Sequence, residues 1–225
     1  MVLQIAPSHP VVELPQGKVI GITIPQADFR PRAVDAFYGI PYALPPTGDR
    51  RFKPAQKVPS SGSDIVNASQ YGPSAPGKQL FTGGPKLEYS EDCLTANVFR
   101  HSSSSNSRNT GAQVLLPVAI YIHAGAFNRG TASMHNTASM VSWSEESIIM
   151  VSFNYRIGAL GFLPSSLSAK EGVLNLGLKD QILLFEWVQK NIKNFGGDPD
   201  NVTLVGLSAG AHSVRTELSI YSRLR

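Results

Sequence analysis

Three short apolar runs stand out in the second half of the chain: Leu116–Ile122 (LPVAIYI), Ser147–Phe153 (SIIMVSF) and Val202–Gly206 (VTLVG). Each is rich in Val and Ile and bounded by small or polar residues, which suits strands buried on both faces, as in a parallel sheet. Between the second and third, Leu178, Ile182, Phe185, Val188 and Ile192 fall at offsets 0, 4, 7, 10 and 14. That spacing predicts one apolar face of a helix over about 178–194, stopped by Gly196-Gly197 and Pro199. Strand, helix, strand and a further helix after Gly206 define an α/β fold.

The first half reads differently. Residues 11–24 predict a small β-hairpin, VVEL and KVIGITI joined at Pro15-Gln16-Gly17. From Pro25 to Tyr89 the chain is studded with Pro and Gly, and its aromatics predict irregular loops packed on a core. Residues 101–112 (HSSSSNSRNTGA) predict a solvated loop insertion. There is no internal repeat.

Composition narrows the class. With 42% hydrophobic and 16% charged residues in 225, the chain has the makings of a folded core. The longest apolar stretch, Val114–Ile122, has nine residues, whereas a membrane span needs about 20. Half of the net charge of +4 lies in the last eleven residues, and the other basic residues are scattered. Nucleic-acid binding, which needs a concentrated basic face, is therefore not expected. No His/Cys spacing resembles a metal site, and no cofactor is expected. The single Cys93 and the lack of a signal-like start lean towards a cytoplasmic setting.

Two local features carry chemistry. Gly206-Leu207-Ser208-Ala209-Gly210 follows directly on VTLVG and has the G-x-S-x-G form of a nucleophile elbow. There a strand turns sharply into a helix, and glycines on either side of the serine let chain segments approach closely. The serine hydroxyl then projects at a helix N-terminus, where negative charge is favoured. Directly after LPVAIYI, His123-Ala124-Gly125-Ala126-Phe127 forms a small-residue loop. Its backbone N–H groups could face the oxyanion that acyl transfer creates, although a plain tight turn would use the same residues.

The chain resembles the N-terminal part of a type-B carboxylesterase, of the carboxylesterase–cholinesterase family of α/β-hydrolases. The resemblance runs in order through Gly39-Ile-Pro-Tyr-Ala43, Pro45-Pro46, Arg51-Phe52 and Ser90-Glu-Asp-Cys-Leu94. It continues through His123-x-Gly-x-Phe127, Asn154-Tyr-Arg-x-Gly158, Gly161-Phe-Leu163 and Asn175-x-Gly-Leu178 with Asp180-Gln181. Phe195-Gly-Gly-Asp-Pro199 and Gly206-x-Ser-Ala-Gly-Ala211 complete it. It implies an α/β-hydrolase fold: a mostly parallel sheet with flanking helices, preceded by the small hairpin. Residues 11–214 would form the N-terminal part of that domain, and 215–225 an off-pattern tail. Ser208 matches the nucleophile, and Gly125, Ala126 and Ala209 match the backbone donors of the oxyanion hole. Arg51 with Glu91 and Arg156 with Asp180 match two structural ion pairs. The implied partner is a small-molecule carboxylic ester.

The departures matter as well. Leu207 stands where the family's elbow usually has Glu. Cys93 lacks its usual partner, since Ala75 stands at the matching upstream position. No Trp precedes Trp143, so a choline-ester preference has no support. In this fold the triad order is Ser, acid, His, yet 17 residues follow Ser208 and contain only His212 and Glu217. His212, one turn along the elbow helix, is not expected to serve as base, and His123 is expected to pack the loop. The reading is therefore a serine ester hydrolase whose acid and base are missing from these residues, which leaves this chain inactive. A non-catalytic esterase-like interaction module, or the product of a disrupted gene, is the alternative. Val202–Val205 would then form an apolar edge strand prone to aggregation.

Overall fold

The structure, a computed structural model, describes residues 9–62, 64–78, 87–102 and 114–223. Strand β1 (Val11–Leu14) and β2 (Gly17–Ile20) pair antiparallel as the expected hairpin. Gly17 turns the chain at φ +139°, and a Cβ there would lie 2.2 Å from the Asp64 carbonyl oxygen. The run KVIGITI then divides at Gly21, and its second part is β3 (Ile22–Ile24) in a different sheet.

Strand β4 (Val34–Pro41) pairs with β3, β5 (Asp64–Asn67) joins β2, and β6 (Thr95–His101) pairs with β4. The apolar runs become β7 (Leu116–Ile122) and β8 (Ile149–Phe153), with helix α1 (Thr137–Trp143) between them. Short helices α2 (Gly158–Gly161) and α3 (Ser166–Lys170) lead to α4 (Leu176–Asn191), and then come β9 (Gly197–Gly206) and α5 (Ala209–Arg223). The large sheet has the order β3-β4-β6-β8-β7-β9. It is mixed: β8, β7 and β9 run parallel, while β3, β4, β6 and β8 pair antiparallel. Within this sheet, parallel pairing is confined to the three runs read from the sequence; in the small sheet β5 also pairs parallel with β2.

Strands β4 and β6 lie where no strand was expected, because charged residues interrupt their apolar pattern. Asp35 on β4 faces Arg100 on β6 across the ladder, with Arg100 Nε 3.5 Å from Asp35 Oδ2. Thr23 on β3 donates to the same carboxylate at 2.9 Å. Cross-strand partners make a buried charge tolerable, and hydropathy alone conceals such a strand. His101 likewise ends β6, buried, with its ring against the Val141 carbonyl. The solvated-loop reading therefore fails at that residue, and 103–113 lie outside the described residues.

Both faces of β7 and β8 are covered, as their continuous hydropathy requires. Val118, Ile120, Ile122, Val151 and Phe153 pack with Leu184, Phe185 and Val188 of α4. Ala119, Tyr121 and Met150 on the opposite face pack with Ala138 and Val141 of α1. Helix α4 starts two residues before its expected first position and ends in a 3-10 turn, Ile192–Phe195, closed by Gly196 at φ +90°. Its fully buried face runs through Gly177, Asp180, Gln181, Leu184 and Val188, and Leu178 and Ile182 are only half-buried. The face is rotated because Asp180 is held inside by Arg156.

Candidate active site

The register of the parallel strands brings the two chemical loops together. Ile122, the last residue of β7, lies opposite Gly206, the last of β9. The His123 loop and the Ser208 turn thus leave the sheet side by side, at the carboxyl ends of the strands.

Ser208 has φ +53°, a left-handed conformation that an L residue adopts at a cost of order 1–3 kcal/mol. Its neighbours explain how the turn is held. A Cβ on Gly206 would lie 2.3 Å from the Gly210 carbonyl carbon, and one on Gly210 would lie 2.1 Å from the Ile122 oxygen. Neither position has room for a side chain. Gly210 N–H donates to Leu207 O at 2.8 Å and His212 N–H to Ser208 O at 3.0 Å, closing the first turn of α5. Ser208 is exposed, and Ala209 behind it is buried. As a first-turn residue, Ala209 has an N–H with no intrahelical acceptor.

The facing loop is equally contorted. Gly125, Ala126 and Phe127 have φ of +133°, +50° and +58°. A Cβ on Gly125 would lie 2.0 Å from the Arg129 oxygen, so only glycine fits there. The Gly125 carbonyl accepts from Asn128 N–H and Arg129 N–H, both at 3.1 Å, and Phe127 O accepts from Gly158 N–H at 2.6 Å. The Gly125 and Phe127 carbonyls are thus spent on the protein, and the N–H groups of Gly125 and Ala126 find no backbone acceptor among the described residues. His123 is buried with its ring stacked on Tyr155, centroids 4.4 Å apart at 16°. Burial pushes the imidazole down to about 4, so it is neutral near pH 7. It packs the loop, as expected.

Both ion pairs implied by the resemblance are present. Arg51 Nε meets Glu91 Oε2 at 2.6 Å near the surface. Arg156 and Asp180 are buried, joined through Nε at 2.8 Å, Nη2 at 2.7 Å and the Arg156 backbone N–H at 3.1 Å. This pair ties the turn after β8 to α4, and that turn holds Phe127 through Gly158. Two supports were not foreseen as such. Asn154 accepts from Thr131 Oγ1 and Ala132 N–H and donates to Pro73 O, and the Tyr155 hydroxyl donates to His123 O at 3.2 Å. The available signal was a polar residue straight after a fully buried strand.

No acid or base is brought to Ser208 among the described residues. His212 is exposed on α5, and no hydrogen bond joins its ring to Ser208. Glu217 is buried, its two carboxyl oxygens have no hydrogen-bond partner, and burial pushes it up to about 7. His9, His101 and His135 are engaged elsewhere, with Gly21 O, Val141 O and the Tyr121 ring. Cys93 is free and buried, its thiol pushed up to about 12 by burial. No group of three His, Cys, Asp or Glu that could hold a metal occurs among the described residues, and no helix there is long and apolar enough to cross a membrane.

A sheet flanked by helices on both faces, with a serine on a strained strand-to-helix turn at its carboxyl edge, defines the α/β-hydrolase class. Within that class the chain belongs to the carboxylesterase family, whose profile matches residues 8–223. It is 43% identical over 198 residues to Secreted lipase 4 of Gibberella zeae, covering 88% of this chain and 34% of that protein. To the para-nitrobenzyl esterase of Bacillus subtilis it is 38% identical over 220 residues, covering 95% and 41%. Among solved structures, a thermophilic PNB esterase superposes with a TM-score of 0.75 at 37% identity, over 92% of this chain and 40% of that one. The chain thus spans roughly a third to two fifths of the length of these relatives.

Proposed function

We propose that this chain carries the nucleophile and oxyanion half of a serine carboxylic ester hydrolase, acting on small-molecule carboxylic esters. The observation that carries the reading is Ser208 at φ +53° between two glycines pressed against backbone, beside a loop whose Gly125 and Ala126 N–H groups meet no backbone acceptor among the described residues. Ser208 Oγ would attack the ester carbonyl carbon and pass its proton to a base. The tetrahedral oxyanion would rest on the N–H groups of Gly125, Ala126 and Ala209. Collapse would expel the alcohol and leave an acyl-serine, which water hydrolyses to the acid. Family membership and relatives named as esterases and a lipase support the same chemistry.

A serine hydroxyl is a weak nucleophile near neutral pH without a general base. The described residues supply none, so turnover by these 225 residues alone is expected to be negligible. The test is p-nitrophenyl acetate hydrolysis by the chain and by Ser208→Ala, with and without imidazole as an external base. Without imidazole the two should match. With it, the unmodified chain should release more p-nitrophenol and gain an acetyl mark on Ser208. Equal rates in the presence of imidazole, with no mark, would count against the reading.

A further inference from the structure

Three consecutive peptide planes in the loop beside Ser208 are tied down by their carbonyls. His123 O accepts from the Tyr155 hydroxyl at 3.2 Å. Ala124 O lies 2.8 Å from His123 Nδ1. Gly125 O accepts from two backbone N–H groups. A planar trans peptide points its C=O and the following N–H in opposite directions. Holding Ala124 O therefore aims the Gly125 N–H, and holding Gly125 O aims the Ala126 N–H.

The second bond depends on which ring nitrogen of His123 carries the proton. A carbonyl oxygen only accepts, so His123 must carry its proton on Nδ1. The ring is kept in place by its stack on Tyr155, and room for the bond depends on Gly130. A Cβ at Gly130 would lie 2.8 Å from His123 Nδ1 and 2.2 Å from Ala124 O.

We propose that His123 is a positioning residue of the ester-hydrolase site: its Nδ1–H, bonded to Ala124 O, sets the direction of the Gly125 N–H towards the oxyanion. The inference rests on the proposed reading of Gly125 as an oxyanion donor. It differs from a packing role, because a ring of the same shape without the donor fills the space and leaves the peptide plane unheld. His123→Phe keeps the ring on Tyr155 and removes the donor. His123→Asn gives up the ring and offers a side-chain N–H near the Nδ1 position.

The test uses the whole 15N-labelled chain and its two variants. In the unmodified chain, the nitrogen spectrum of His123 should show the proton on Nδ1, and the residual dipolar coupling of the Gly125 amide should change in His123→Phe but not in His123→Asn. Phenylboronic acid, which forms a tetrahedral anion on a serine oxygen, should bind His123→Phe about ten-fold more weakly and His123→Asn nearly as before. A proton on Nε2, or a Gly125 coupling unchanged in His123→Phe, would overturn the proposal. So would equal boronate affinity in that variant. Should the unmodified chain bind no boronate, the reading of Ser208 as nucleophile fails instead, and the Gly125 coupling alone decides the role of His123.

Discussion

Removing Asp180 tests how the site is held. In Asp180→Ala the Arg156 guanidinium stays in place, its side chain only 3% exposed, and loses the carboxylate that took its Nε and Nη2. The Arg156 backbone N–H loses its acceptor too, and only the bond from Nη1 to Lys53 O, at 2.8 Å, remains. The charge cannot easily turn to water. Cβ positions on Gly161 and Gly177 would lie 2.1 and 2.4 Å from Arg156 O, so the backbone at Arg156 is tightly enclosed. Breaking a buried pair from one side costs about 3–5 kcal/mol, mostly for the stranded charge, whereas removing both charges together costs far less. Urea unfolding of Asp180→Ala, Arg156→Met and the double variant measures this. Asp180→Ala should lose about 3–5 kcal/mol and the double variant should recover most of it. A loss below about 1 kcal/mol, or a double variant as unstable as Asp180→Ala, would mean that no stranded Arg156 charge is destabilising the fold. Arg51→Ala, which breaks the surface pair, should lose much less in the same assay.

Two further effects follow from the same geometry. Since Ser208 sits at φ +53°, Ser208→Gly should be more stable than Ser208→Ala by about 1 kcal/mol, measured by thermal or urea unfolding. The reverse order would mean that the turn is unstrained. Glu217 is buried with its carboxyl raised from 4.5 to about 7, so the folded state holds a proton that the unfolded state releases in that window. Its contribution to stability is present below pH 4.5 and is lost as pH rises towards 7. The stability of Glu217→Gln relative to the unmodified chain should therefore climb between those values, and a pH-independent difference would contradict the assignment.

The parallel core and the serine turn were legible in the sequence because each rests on local pattern. LPVAIYI and SIIMVSF are apolar runs covered on both faces. VTLVG forms a parallel strand too, but at the sheet edge with Thr203 and Val205 exposed, so its expected burial fails. Glycines flank Ser208 because backbone fills the space where side chains would stand. The antiparallel half was not legible. Strands β4 and β6 carry Asp35 and Arg100, whose partners are distant in sequence, so a charge that is satisfied across the ladder reads as a loop signal. The same holds on α4, where Asp180 turns the buried face away from Leu178 and Ile182. At the site, Ser208 and Gly125 announced themselves by residue type. The contributions of Asn154, Tyr155 and the Nδ1 proton of His123 depend on contacts between segments that no spacing reveals.

The proposed function stands or falls on whether Ser208 faces donors arranged for a tetrahedral anion. Boron-11 NMR of phenylboronic acid with the chain, at mildly alkaline pH, tests it without requiring a general base. A tetrahedral boron signal should saturate at one per chain and disappear in Ser208→Ala. A signal that is absent from the unmodified chain, or that persists unchanged in Ser208→Ala, would contradict it.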